Sequence, residues 1–189
     1  MFDTINDILL KGGVIAFPTD TVWGVGCLPS CKEAVQRIYD IKHREAKKPL
    51  ILMSYTIEPL LKYVQTPLPN KANELRQKYW PGALTLVLDK SNKTPNYITS
   101  NQNTVGIRVP QNTIFQDICK NISGHVLATT SANISGQNSA LTYEEAVRYI
   151  GDKVDFVVPY QEKISGQASA VVRILKDDLI VLRQGILTF

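Results

Sequence analysis

Histidine, cysteine and aromatic side chains are scarce in this sequence, and each shortage narrows what the chain can do. Its 189 residues include two histidines, three cysteines, and only 8% aromatic residues. His43, His125, Cys27, Cys31 and Cys119 form no zinc pattern, because Cys27-x3-Cys31 lacks a second ligand pair. A Ser/His/Asp triad would have to use one of those two histidines, and no serine motif points to either. Walker-type phosphate loops, dinucleotide glycine fingerprints and the G-x-S-x-G elbow are missing as well. The three cysteines are an odd number with no basic, apolar leader ahead of them, which argues against a disulfide framework. No apolar run approaches the roughly 20 residues of a membrane span. The expectation is a cytoplasmic protein without a membrane contact and without a protein-held metal.

What remains is a globular composition, 44% hydrophobic and 20% charged, long enough to bury one generous core without staples. The net charge of +4 is mild, but the segment Lys32–Lys48 carries six cations against three acids and so holds +3 of it. Such a run suits an anionic ligand or a solvated helix face. Hydrophobic periodicity predicts an N-terminal helix broken at Gly12-Gly13, and a helix after 30 opened by a Ser30/Glu33 capping box. Two more helices are expected near 56–63 and 69–79, and one from a Thr142/Glu145 capping box to about Gly151. Strands are expected at 14–18, 50–53, 83–89, 104–109, 126–130, 156–158, 170–175 and 179–182. Helices and strands intermix without strict alternation, which predicts a single α/β domain over 1–189 with a twisted mixed sheet. Residues 90–103, rich in Asn, Ser, Thr and Lys, read as a loose loop able to cover part of a site.

Two polar turns follow buried strands. Pro18-Thr-Asp-Thr-Val-Trp-Gly-Val-Gly26 packs hydroxyls, an acid, an aromatic ring and glycines into nine residues, and Ser131-Ala-Asn-Ile-Ser-Gly136 repeats the idea. Small polar residues beside glycine let backbone N–H groups approach an anion, although either stretch alone could be a simple turn.

Taken together with later blocks, these turns resemble the YrdC-like threonylcarbamoyl-AMP synthase family. The matching blocks are Lys11–Gly26, Lys42-His-Arg44 with Lys48-Pro-Leu50, Trp80-Pro-Gly-Ala-Leu-Thr85, Thr104-Val-Gly-Ile-Arg-Val-Pro110, Ser131–Gly136, Ser169-Ala-Val-Val172 and Leu182-Arg-Gln-Gly185, in that order. The sequence departs from the family at Trp23, where tyrosine is usual, at Glu45 and Lys48, where proline and asparagine are common, and at Ala170, where threonine is usual. It stops just beyond the Arg183 block, where longer relatives continue into a second domain, so the resemblance is to the short form.

The resemblance implies a YrdC-like fold with a concave basic cavity. It implies that L-threonine, bicarbonate or CO2, and ATP become threonylcarbamoyl-AMP and pyrophosphate, with Mg2+ carried on the ATP and no tightly bound cofactor. It makes Lys42 and Arg44 catalytic cations. Arg44, Lys48, Thr104, Asn133, Ser139, Leu141 and Arg183 become nucleotide contacts. Thr21, Met53, Arg108, Ser131 and Ser169 become the threonine pocket, with Met53 contacting through its backbone if at all. It further implies a downstream tRNA threonylcarbamoyl transferase complex and a possible tRNA contact. Two rival readings are a non-catalytic RNA-binding module and a carbamoyl-transfer domain detached from a hydrogenase-maturation protein. Sparse aromatics weigh against the first, and missing zinc-finger and acylphosphatase segments against the second.

Overall fold

The computed structural model describes residues 1–160, 164–176 and 178–188. The chain runs α1 (Phe2–Leu10), β1 (Ile15–Phe17), β2 (Gly24–Cys27), α2 (Lys32–Lys42), β3 (Ile51–Met53), α3 (Glu58–Leu61), α4 (Asn70–Tyr79) and β4 (Leu84–Asp89). It continues through α5 (Asn96–Thr99), β5 (Thr104–Arg108), α6 (Thr113–Asn121), β6 (Leu127–Ser131), α7 (Tyr143–Ile150), β7 (Phe156–Val157), β8 (Ala170–Leu175) and β9 (Asp178–Arg183). Among the described residues nine strands form one sheet in the order β7-β1-β2-β6-β3-β5-β4-β8-β9. Three parallel pairs (β1/β7, β3/β5, β4/β8) stand among five antiparallel ones, which makes the sheet mixed, as the sequence predicts.

Strand alternation places the site. In β4 and β5 the side chains of Leu84, Leu86, Leu88, Val105 and Ile107 enter the main core with Val35 and Ile38 of α2 and Leu75 of α4. Thr104, Gly106, Arg108 and Val87 face a cavity instead. Gly106 has a packing reason: a Cβ there would stand 2.8 Å from Ile51 Cγ2 on the neighbouring strand. A second core joins Ile5 and Leu9 of α1 to Phe115 and Ile118 of α6, with the Phe17 and Phe115 rings 5.2 Å apart.

Several local expectations change. Cys31, not Ser30, is the N-cap of α2, and it makes no side-chain capping bond, so the Ser30/Glu33 box does not form. Thr142 does cap α7 by accepting from Glu145 N–H at 3.1 Å, but the Glu145 carboxylate accepts from Leu141 N–H rather than closing the box on Thr142. Residues 90–103 are not loose. They contain the helical turn α5, bury Ile98 and Thr99, and are tied down by Thr94 and Ser91 hydroxyls donating to Tyr63 and Lys62 carbonyls. Strand β2 and helix α6 were not expected from the sequence. The first is too rich in glycine to look like a strand, and the second starts at Asn112, whose side chain accepts from Phe115 N–H.

Candidate functional site

A cavity of about 330 Å³ opens over the middle of the sheet. It collects nine of the thirteen residues singled out in the sequence: Thr21, Arg44, Met53, Thr104, Arg108, Ser131, Ser139, Ser169 and Arg183. Lys42, Lys48, Asn133 and Leu141 do not line it. Trp23 also forms part of the wall and is itself buried, its ring 6.1 Å from that of Tyr143. Among the described lining residues there are three guanidinium groups and no carboxylate.

Arg108, at the end of β5, is 2% exposed. Its Nε donates to Gly82 carbonyl at 2.9 Å, Nη1 to Thr21 Oγ1 at 2.9 Å and Nη2 to Asp20 Oδ1 at 2.6 Å. Burial pulls its guanidinium below the ordinary arginine range, and the Asp20 charge offsets that shift. Asp20 is a site residue that the sequence alone does not mark, although it stands inside the Pro18–Gly26 turn. Its signal was an acid flanked by two threonines at a strand end. Thr19 orders the same turn by accepting from Thr21 N–H and donating to Val22 carbonyl.

Lys42 closes α2 but is not the surface lysine that position suggests. It is 1% exposed, and its Nζ donates to Ser131 carbonyl at 2.5 Å, Asn133 carbonyl at 2.6 Å and Asn133 Oδ1 at 3.0 Å. Ser131 Oγ donates to the same Asn133 Oδ1 at 2.6 Å, and Asn133 Nδ2 donates to Ile134 and Gln137 carbonyls. Lysine and asparagine therefore hold the 131–137 turn in place, with Ser131 exposed to the cavity. Burial, with the neighbouring Arg44 charge second, lowers the Lys42 ammonium to about 7.

Arg44 follows His43, which ends α2 in the left-handed conformation (φ 48°). Its Nε and Nη2 donate to Lys48 and Pro49 carbonyls, both at 2.9 Å, so the guanidinium braces the segment that leads into β3. The Lys48 side chain is 49% exposed and paired with Glu45 at 2.6 Å. Tyr39 adds a third tie by donating to Lys48 carbonyl at 3.0 Å.

On the opposite wall Arg183 of β9 donates from Nε to Ser169 carbonyl (3.0 Å) and from Nη2 to Ser169 Oγ (3.2 Å). Burial lowers its guanidinium first, and the charges of Arg108 and Arg44 lower it further. Arg183 thus feels the like charges of both other arginines on the cavity. Such a cluster is unfavourable when empty and is relieved by an anion. Hydroxyls of Thr21, Ser131 and Ser169 around it can orient that anion, while the Asp20 carboxylate is committed to Arg108.

The Sua5/YciO/YrdC family model, described as telomere recombination, matches residues 7–185. A threonylcarbamoyl-AMP synthase of Vibrio cholerae is 37% identical over 183 residues, covering 95% of this chain and 94% of that protein. One from Marinobacter nauticus is 34% identical over 152 residues, covering 80% and 79%. The crystal structure of Pyrococcus abyssi Sua5 complexed with L-threonine superposes with a TM-score of 0.91 at 32% identity. That match covers 97% of this chain and 54% of the other, so this chain spans about half the length of that Sua5.

Proposed function

The chain belongs to the Sua5/YciO/YrdC family, and on that premise we propose that it is a threonylcarbamoyl-AMP synthase, a nucleotidyltransferase using L-threonine, bicarbonate or CO2, and ATP. The single observation that carries this reading is the convergence of Arg44, Arg108 and Arg183 on one hydroxyl-lined cavity without a lining carboxylate among the described residues. In the reaction the threonine amine adds to CO2 and loses a proton to give a carbamate. A carbamate oxygen then attacks the α-phosphorus of ATP, and pyrophosphate leaves. Each step places negative charge on oxygen and asks the protein for positioning and charge stabilisation rather than histidine acid–base work.

In this reading Arg108, with Thr21 and Ser169, receives the threonine carboxylate. Arg44 and Arg183 take phosphate oxygens, for which a planar fork is suited. Thr104 and Ser139 border the nucleoside, while Lys48, paired with Glu45, and Leu141 lie outside the cavity lining and can meet only the part of ATP that extends beyond it. Met53 contributes packing to the threonine pocket. Lys42 and Asn133 act by holding Ser131 at the cavity wall. Mg2+ enters as part of the ATP substrate. The lining offers it cations and hydroxyls rather than a carboxylate cluster, so phosphates and water are its ligands. The product then serves a separate transferase acting on tRNA in the cytoplasm. Among the described residues no helix is long and apolar enough to cross a membrane.

The test is to incubate pure protein with ATP, Mg2+, threonine and labelled bicarbonate. Pyrophosphate release should require both threonine and bicarbonate, and valine or 2-aminobutyrate should support far less, because the pocket's hydroxyl partners would be left unpaired. Pyrophosphate released equally with valine, or without any amino acid, would remove the assignment.

A further inference from the structure

Resting on the threonine-pocket reading, we propose that Thr85 is a positioning residue that fixes the Ser169 hydroxyl as a hydrogen-bond donor toward an anionic substrate oxygen. Thr85 ends the Trp80-Pro-Gly-Ala-Leu-Thr85 block, which puts no side chain into the cavity wall. The block reaches the site from behind. Gly82 carbonyl receives Arg108 Nε, and Thr85 Oγ1 lies 2.9 Å from Ser169 Oγ.

Proton accounting at this pair has one satisfactory solution. Thr85 is fully buried in β4, and Ser169 Oγ is its hydroxyl's one partner among the described residues. A hydroxyl has one proton to give and two lone pairs to receive. If Ser169 donated to Thr85, the Thr85 proton would be left in the interior without an acceptor, an arrangement that buried polar groups avoid. Thr85 is therefore the donor. Arg183 Nη2 also donates to Ser169 Oγ, and a guanidinium has no acceptor capacity, so that direction is fixed. Both lone pairs of Ser169 Oγ are then occupied. Its own proton is the one free valence, and Ser169 lines the cavity.

A serine held this way recognises acceptors and rejects donors. It suits a carboxylate or carbamate oxygen and offers nothing to an ammonium. It stands on the same cavity as the buried Arg108, so the anionic end of the amino acid is drawn to that wall. The amine is left toward the remaining volume, where CO2 and the nucleotide must meet it.

Two variants test the inference: Thr85→Val, which keeps size and burial but removes the proton, and Thr85→Ser, which restores it. Thr85→Val should raise the threonine KM, and the threonine Kd from calorimetry, roughly ten-fold, the loss of one well-placed bond. The ATP KM and kcat should stay within about two-fold of wild type. Thr85→Ser should return the threonine KM to near the wild-type value. A threonine KM unchanged in Thr85→Val overturns the inference. So does a fall in kcat with the threonine KM intact, which would mark a merely structural role, or equal impairment of both variants. Wild-type protein that neither binds nor turns over threonine sinks the parent reading and this one together. An active wild type with an unaffected Thr85→Val sinks this one alone.

Discussion

Two arginines line one cavity on opposite kinds of support. Arg108 is built into the end of a sheet strand, buried, with an ion pair to Asp20 and bonds to Thr21 and Gly82. Arg44 sits in the connection between α2 and β3, and its bonds run to carbonyls of its own segment, Lys48 and Pro49. The first is woven into the fold, and the second is carried by a loop that it also braces. Function and stability are therefore inseparable at Arg108 and separable around Arg44.

The largest effect should come from Arg108→Ala. It strands the Asp20 carboxylate in a largely buried position, and breaking such a pair costs about 3–5 kcal/mol. Thermal unfolding should fall by on the order of 10 °C, and threonine-dependent pyrophosphate release should be lost. A stable but inactive Arg108→Ala protein would erase the contrast between the two regions.

Arg44→Lys comes next. Charge is kept but the fork is lost, so activity should drop by about 100- to 1,000-fold while the melting temperature stays within a few degrees. Full activity in this variant would move the phosphate site away from the α2–β3 connection.

Lys42 lies between the two cases, on a helix end but wholly buried. Its folded-state value of about 7 lies below the free value of 10.5, so between those pH values the unfolded chain holds a proton that the folded chain has released. Unfolding free energy should therefore carry a rising contribution as pH increases through that window, and the difference is constant below it. Urea titrations at pH 7 and pH 9 should show that gain in wild type, and Lys42→Met should lack it. A slope that persists in the variant would assign it to other groups.

The smallest effect is expected at Lys47→Ala. Lys47 is exposed and lines no described wall of the cavity, so activity and melting temperature should both remain near wild type. A dead Lys47→Ala would mean that the exposed cation run itself, rather than Arg44 within it, carries the anion.

Strands β4, β5 and β8 could be read from alternation and β-branched runs because packing on one face dictates their residue pattern. The same rule fails at Gly24-Val-Gly-Cys27. There the sheet needs small residues for close approach, and a Cβ on Gly24 would stand 2.7 Å from the Phe17 ring, so a strand looks like a turn. Helix α6 hid because Ile114, Phe115, Ile118 and Cys119 bury against α1, an element far away in sequence. Nine of the cavity-lining residues could be named from motif order, whereas their partners could not. Asp20 and Thr85 act on other side chains, and only the tertiary register β4/β8, Leu84 opposite Ala170, brings Thr85 to Ser169. Lys42 taught the converse, since a helix-ending lysine reads as solvated until the 131–137 turn is seen folded over it.

The β4/β8 register also sets a clock. Pairing Leu84 with Ala170 in parallel closes a long stretch of chain, and non-local pairings of this kind form slowly because loop entropy is lost before contacts reward it. Arg108 reaches Gly82 through the pairing of β4 with β5, which are close in sequence, whereas Ser169 and Arg183 depend on the distant β8 and β9. During refolding, most of the helical circular dichroism should return before threonine can be held, leaving an interval in which the chain is compact yet blind to its amino acid. Threonine added at the start should then leave the early phase untouched and be bound only as the final one completes.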